Sequence, residues 1–347
     1  MLLIYYLRLR QVAGFHILIK YNYLEITQEK TNMADTIKVD SHVHLYRSPE
    51  EGQADKDGYE IWEYGSKPGV CFSDRLGTVD EVLADMEATG ISKAVVVNLY
   101  IGALTRARKR ANVPESVSGP ERDRAYDNIE AEIIDEFKAF NSWICGVSQS
   151  HSEIVPFIGA DAAVLPGDDG GAYVRDMVGN HGARGVKLHG PAQGVSMSDE
   201  RLWPIYAACQ ELGVPVIGHS GPDKNGAGFA DPRGFGSMLK AFPDLSVVLA
   251  HMGGANWDQA LEIAESYPNA YFDCCEIIEW TEGENAPTEV QLAQLIKDIG
   301  PHRVMMGSDY PWYDLDHTVE RVMALPILSA EEKEGIIGAN AVTILNL

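Results

Sequence analysis

The strongest constraint on this chain is a regular alternation, from Ile37 onward, of short Val- and Ile-rich runs with longer segments of helical period. Strand and helix alternating over this length indicate a parallel sheet with both faces covered. Eight such units favour closure into a single-domain α/β fold, the (β/α)8 TIM barrel, although an open doubly wound sheet gives a similar pattern. The predicted strands are Ile37–Asp40, Ala94–Asn98, Val155–Gly159, Gly185–Leu188, Pro215–Gly218, Ser246–Ala250, Ala270–Asp273 and Val304–Gly307.

The segments between the strands carry helical signals. Apolar residues recur every four positions from Ala125 to Phe137, and Thr78 with Glu81 has the capping-box pattern that opens a helix. Two connections, residues 45–77 and 100–122, are unusually long. Loops of this length in a compact domain are often lids or binding loops, so we expect that role here, with the basic run of the second loop exposed to solvent.

The composition limits which binding partners and which cellular compartment are expected. The formal net charge is −23 over 347 residues, and so acidic a surface disfavours nucleic acid and membrane as partners. The five cysteines show no CxxC spacing, which predicts free thiols in the cytoplasm. Residues 1–34 are apolar but interrupted by Arg8, Arg10 and Lys20, so we expect an extension outside the fold, with the catalytic domain at 35–347.

Potential ligands and bases recur where predicted strands end. His42 and His44 close the first strand, and alternate residues of a strand point to the same side. His219, His251 and Asp309 follow the fifth, sixth and eighth strands. Because these strand ends converge on one face of a barrel, the five side chains are expected to share one site.

The residue types point to metal chemistry. Three imidazoles and a carboxylate suit Zn²⁺ or another borderline divalent ion, which lowers the pKa of bound water to about 7. Asp309 could contact the metal and accept a proton, while His251 serves a leaving group. A barrel that has lost catalysis and acts as a scaffold is a different class, but such proteins usually lack a ligand and none is missing here.

The motifs resemble a known family. HVH, HSG, HMGG and GSDYPW, after strands one, five, six and eight, are similar to the amidohydrolase superfamily, and more narrowly to the branch that includes aminocarboxymuconate semialdehyde decarboxylase. The resemblance runs from about Ile37 to the C-terminus. It implies one divalent metal, most simply Zn²⁺, held by His42, His44, His219 and Asp309. It also implies His251 as a catalytic histidine beside the ion, and is compatible with a homodimer.

Further residues are candidates for substrate binding or a second metal. Lys187, in the fourth strand, occupies the place of a lysine that is carbamylated in binuclear members, where His251 would bind the second ion. A lysine that pairs with a carboxylate or binds substrate is the favoured alternative. Arg47 and Arg233 could hold a substrate carboxylate, and Trp312 could form a wall of the pocket.

The ligand set leaves two reactions open. The leading prediction is a hydrolase that uses metal-activated water on a small, carboxylated molecule. The alternative is a nonoxidative decarboxylase of an aromatic or unsaturated acid, which the arginine candidates and the aromatic first loop favour.

Overall fold

Eight parallel strands form the centre of the protein in a computed structural model, which describes residues 37–64, 73–97, 99–222, 226–283 and 285–347, with the backbone alone at 59–64. Neighbouring strands pair in chain order from the first to the eighth, which confirms the predicted TIM barrel. The strands are β1 (Val39–Val43), β2 (Lys93–Val97), β3 (Ile154–Gly159), β4 (Gly185–Leu188), β5 (Val216–His219), β6 (Val247–Ala250), β7 (Ala270–Asp273) and β8 (Val304–Met305).

The first and last strands meet along a seam. The Ser41 backbone N–H donates to Met306 O at 3.0 Å, and that of His44 donates to Tyr310 O at 2.7 Å. A side chain also crosses the seam, because Asp40 Oδ1 accepts from the Ser308 N–H at 3.0 Å. These contacts complete the ring of strands and set the end of β1 against the turn after β8.

Helices cover the outside of the barrel. They are α1 (Pro49–Tyr64), α2 (Val79–Thr89), α3 (Gly102–Ala111), α4 (Pro120–Ser150), α5 (Asp168–His181), α6 (Gly190–Gln193), α7 (Trp203–Leu212), α8 (Gly236–Ala241), α9 (Ala260–Ser266), α10 (Glu289–Ile299), α11 (Leu315–Ala324), α12 (Ala330–Glu334) and α13 (Asn340–Leu345). The shorter helical turns are 200–202, 232–235, 251–259, 301–303 and 335–339. The predicted capping box is present, since Thr78 and Glu81 exchange both hydrogen bonds at the start of α2.

Alternate residues of each strand enter different cores. Val216 packs outward against helices, while Ile217 packs into an interior cluster that also contains Phe157 and Val248. Ile344 of α13 joins this interior cluster, so the last helix covers the apolar end of the barrel. Val-rich strands therefore read as nearly continuous apolar runs because both of their faces are buried.

Each long connection contains a helix, so the prediction of irregular loops is wrong for residues 49–64 of the first and 102–111 of the second. Pro49 and the acidic residues 50–51 begin α1, and three basic residues end α3, both of which stabilise a helix dipole. Gly52 and Gly58 in the first connection, and the polarity of the second, obscured these signals. Tyr59, Trp62, Tyr64 and Phe72, part of the predicted aromatic loop, have side chains outside the described residues.

The basic run of the second connection is paired within the fold. Arg106 Nε lies 2.8 Å from Glu130 Oε1, and Lys109 Nζ lies 2.8 Å from Glu132 Oε2. Both partners lie on α4, so these charges fasten α3 to the longest helix. This pairing accounts for Arg106 and Lys109 without an anionic ligand.

The described residues from Lys38 to Leu347 form one compact unit. The predicted N-terminal extension, residues 1–34, lies outside the described residues and stays a prediction, as do the cytoplasmic location and the homodimer. Among the described helices, none has both the length and the apolar character needed to cross a bilayer.

Candidate metal centre and active site

The carboxyl ends of the strands open into one cleft of about 680 Å³. All five residues predicted as ligands or bases line it, together with Lys187 and Trp312. Active sites of TIM-barrel enzymes occur at this end of the barrel. The predicted side chains thus converge as expected.

Three of them form a compact donor group. Asp309 Oδ1 lies 3.6 Å from His42 Nε2 and 3.2 Å from His44 Nε2. The candidate ligand atoms of these residues lie within 4.8 Å of one another. The backbone of Asp309 has φ 62°, and its N–H donates to His42 O at 2.9 Å, so the seam fixes this carboxylate.

The other two histidines lie beside this group and contact each other. His251 Nε2 is 3.1 Å from His219 Nδ1, and the His251 ring centroid is 5.1 Å from that of His42. His219 also stacks on His189, with 4.0 Å between ring centroids. The structure therefore brings His219 into the cleft as a partner of His251, next to the three-residue donor group.

Burial sets the charge of these groups. It lowers the pKa of His42 and His219 well below the ordinary value and also lowers the pKa of His251, so all three rings are held neutral. Burial acts against the charge of Asp309, but the hydrogen bond from His44 and the neighbouring histidines outweigh it and lower the pKa of Asp309. Neutral imidazoles and an ionised carboxylate are the forms that bind metals.

A buried carboxylate that was not predicted from the sequence supports the centre. Asp273, the last residue of β7, places Oδ2 3.1 Å from His42 Nδ1 and accepts from the His251 N–H through Oδ1 at 2.8 Å. A carboxylate behind a ligating histidine fixes the ring and its tautomer. The signal was available, since Asp273 ends a predicted strand as the other site residues do.

Asp40 is a second buried carboxylate that supports His42, through the backbone instead of the ring. Its Oδ1 accepts from the backbone N–H groups of His42 and Ser308, both at 3.0 Å. Burial raises the pKa of this carboxyl to about 7. Asp40 thereby holds the strand that carries two imidazoles against the turn that carries Asp309.

The donor group fits a divalent cation. It offers two imidazole nitrogens and one carboxylate oxygen, with His219 nearby as a further nitrogen and Asp273 as the outer carboxylate. Sites of three or four such ligands with an outer carboxylate are typical of catalytic metals.

The family model described as amidohydrolase matches residues 39–347. The chain belongs to the amidohydrolase family. This membership confirms the resemblance found in the sequence, and with it the expected class, that of metal-dependent hydrolases and carboxy-lyases.

Relatives of this amidohydrolase include decarboxylases. It is 24% identical over 197 residues to 2-amino-3-carboxymuconate-6-semialdehyde decarboxylase of Dictyostelium discoideum, which covers 48% of this chain and 54% of the relative. The chain thus spans about half the length of that curated relative.

Two solved structures share its fold. One is 5-carboxyvanillate decarboxylase LigW from Sphingomonas paucimobilis, with a TM-score of 0.61 and 14% identity over 90% of this chain and 100% of that one. The other is dihydroxybenzoic acid decarboxylase from Polaromonas sp. JS666 with bound manganese and 2-nitroresorcinol. Its TM-score is 0.60, with 15% identity over 90% of this chain and 97% of that one.

The remaining predicted residues of the amidohydrolase occupy different places. Lys187 lies inside the cleft with Nζ 3.0 Å from His42 Nε2, and burial lowers its pKa. Trp312 packs edge-on against His44 at 5.4 Å between ring centroids. Arg47 is exposed, with its guanidinium 5.4 Å from the ring centroid of Phe140, a residue of the cleft wall.

Arg233 is placed outside this cleft. Its side chain is 59% exposed and its Nε lies 2.8 Å from Glu262 Oε2. Arg233 lies in the loop that follows His219. The position of His219 at a strand end does not determine the direction of that loop, so the sequence could not place Arg233. Its predicted contact with substrate stays a prediction that the geometry does not favour.

The first long connection, residues 45–77, contributes two side chains to the cleft. Tyr46 and Asp55, the latter on α1, both line it, and the Tyr46 hydroxyl donates to Asp55 Oδ2 at 2.5 Å. Burial raises the pKa of Asp55. The lining of the cleft thus combines the Asp55 carboxyl group with the aromatic rings of Phe140, Trp312 and Tyr313.

Proposed function

We propose that the protein is a metal-dependent, nonoxidative decarboxylase of a small aromatic or unsaturated carboxylic acid. His42, His44 and Asp309 would hold the ion, with His219 as a further ligand. The donor set suits Zn²⁺, the ion first expected, and also Mn²⁺, which the Polaromonas enzyme contains. This proposal replaces hydrolysis, the leading sequence-based prediction, with its alternative.

The observation that carries the proposal is the position of His251. It is buried next to the donor group, in a cleft with three aromatic walls, where a flat acid could lie between them. The three relatives described above are named as decarboxylases, which favours the same choice between the two reactions.

Decarboxylation requires a proton at one carbon. The bond between the substrate and its carboxyl carbon breaks, the electron pair stays on the substrate, and a proton forms the new C–H bond as CO₂ leaves. A bound divalent ion supplies a Lewis acid for substrate oxygens. His251 would take up a proton on the ring and pass it to that carbon, with replacement from solvent through the mouth of the cleft.

The surrounding residues prepare His251 for this task. Asp273 fixes its backbone, while His219 contacts Nε2 and the Cys275 carbonyl lies 3.3 Å from Nδ1. Trp312 would exclude water from the reacting carbon. Lys187, and Arg47 at the edge, are the proposed partners of the substrate carboxylate, and carbamylation of Lys187 for a second metal is the alternative use of that side chain.

The test is a search for CO₂ release from a panel of hydroxybenzoic and unsaturated carboxylic acids, run in D₂O. The product should carry one deuterium at the carbon that lost the carboxyl group. His251→Asn should slow release by about 100- to 10,000-fold with metal content unchanged. His181→Asn, a histidine exposed on α5, is the matched control and should behave like wild type.

Hydrolysis is the second candidate, because a neutral His251 beside an ionised Asp309 could also accept protons from water. Carboxylated lactones and amides belong in the same panel. Turnover of these compounds with no CO₂ from any acid would refute the decarboxylase proposal and favour a hydrolase.

A further inference from the structure

A thiol lies behind the histidine proposed to transfer protons. Cys275, two residues after β7, is completely buried, and its Sγ is 3.2 Å from His251 Nδ1. The spacing of the cysteines predicted only a free thiol at this position. Because the Cys275 thiol contacts His251, it is close enough to the metal centre to take part in its chemistry.

Cys275 is part of a second donor group. The candidate ligand atoms of His42, His251 and Cys275 all lie within 4.8 Å of one another, and all three residues are buried. This group contains a sulfur and two nitrogens, whereas the group of His42, His44 and Asp309 contains an oxygen and two nitrogens. The two groups have only His42 in common.

His42 can serve one ion at a time. Its Nδ1 faces Asp273 Oδ2 at 3.1 Å, which leaves Nε2, the nitrogen that the Lys187 amine contacts at 3.0 Å, as the one that can bind a metal. An ion bound with Cys275 therefore displaces an ion bound with Asp309. Sulfur ligands select softer ions and carboxylates select harder ones, so the nature of the ion decides between the groups.

We propose that His42, His251 and Cys275 form a second, alternative metal position, selective for thiophilic cations such as Cd²⁺ and exclusive of the His42–His44–Asp309 position. Binding replaces the S–H bond by a metal–sulfur bond and releases one proton to the buffer. Because His251 then holds the ion, its ring cannot transfer a proton. A thiophilic ion at this position inhibits the enzyme as well as replacing its metal.

The chain offers a matched control in the adjacent residue. Cys274 is equally buried but packs in the apolar layer between strands and helices, and it is not a member of the donor group. Serine at 274 or 275 removes one sulfur with nearly the same volume. Any effect specific to 275 therefore reports on its position in the centre.

The experiment titrates the full-length, Mn²⁺-loaded protein with Cd²⁺. Ultraviolet absorption detects the charge transfer from thiolate to Cd²⁺, and the magnetic resonance signal of free Mn²⁺ detects its release. Wild type and Cys274→Ser should both develop the thiolate band as one Cd²⁺ displaces one Mn²⁺. Cys275→Ser should show no band, and its Mn²⁺ should require at least about tenfold more Cd²⁺ for release.

Three results would overturn the inference: no thiolate band in wild type, a band that persists in Cys275→Ser, or a band that grows while Mn²⁺ stays bound. Cys275→Ala serves if the serine variant does not fold. The inference assumes the metal centre of the proposed function, but the two fail separately. If the protein does not bind Mn²⁺, the His42–His44–Asp309 centre is refuted. If it binds Mn²⁺ normally but shows no thiolate band, only the Cys275 position is refuted. The Cd²⁺ titration is run in either case.

Discussion

Two layers inside the barrel lie only two residues apart on the same strands and differ completely in chemistry. Ile217 and Tyr271 belong to the apolar interior cluster, while His219 and Asp273, two positions further along β5 and β7, belong to the centre. Two residues of strand correspond to about 7 Å. The apolar layer stabilises the fold, and the polar layer above it is built at the expense of burying charges and imidazoles.

This contrast predicts that changes in the polar layer alter metal binding and that changes in the apolar layer alter stability. The largest effect is expected for His42→Ala, since His42 belongs to both donor groups. Metal content should fall close to zero and kcat/KM by at least about 1,000-fold, by elemental analysis and the decarboxylase assay. His181→Ala is the control, and retention of one metal per chain in His42→Ala would contradict the proposed centre.

Ile217→Ala tests the apolar layer directly beneath His219. Truncation of this fully buried side chain should lower the free energy of unfolding by about 2–5 kcal/mol, measured by denaturant titration. Metal content of the folded variant should not change. Val290→Ala, at an exposed position, should have little effect. Loss of metal without loss of stability in Ile217→Ala would show that the layers are not separable.

Asp273→Asn tests whether the missed carboxylate acts through His42. The amide keeps the shape but loses the charge that orients the ring, so metal affinity should fall by about 10- to 100-fold, measured in competition with a chelator. Asp298→Asn, exposed at the end of α10, is the matched control. An unchanged affinity would mean that backbone contacts alone position His42.

Lys56→Met tests how α1 is held over the cleft. The buried Nζ donates to the backbone carbonyls of Ser73, Arg75 and Pro311 at 2.8, 2.7 and 3.1 Å. Leaving these acceptors without a donor should cost about 1–3 kcal/mol of stability and raise KM more than it lowers kcat. Lys138→Met on the exposed face of α4 is the control. A variant with wild-type KM and stability would remove Lys56 from the support of the cleft.

The smallest effect is expected for Arg233→Ala. Its exposed ion pair with Glu262 is screened by solvent, so stability and kcat/KM should both stay close to wild type. A tenfold rise in KM would restore the sequence-based prediction that Arg233 binds the substrate.

The strand ends were predictable from the sequence, because short apolar runs that alternate with segments of helical period show where each strand stops. His42, His44, His219, His251 and Asp309 each end or follow an apolar run, and a barrel directs such positions to one face. Contacts between them were not predictable, because they depend on side-chain direction. The pairing of His219 with His251 and the backbone conformation of Asp309, with φ 62°, illustrate this.

Other features lacked a periodic signal. Asp273 has the strand-end position of the other site residues but no histidine-containing motif beside it, so position alone could have found it. The helices α1 and α3 were hidden by glycine and charge, and their partners lie far away in the sequence. The orientation of Arg233 depends on the course of a loop, which packing decides.

The seam between the first and last strands has a consequence for synthesis. Asp40 and Ser308, joined by a hydrogen bond, are 268 residues apart along the chain. During translation, the ribosome must therefore complete nearly the whole domain before Asp309 can join His42 and His44. A nascent chain presents the two imidazoles early but acquires the carboxylate last, so the proposed capture of a metal by the complete donor group would belong to the final stage of folding.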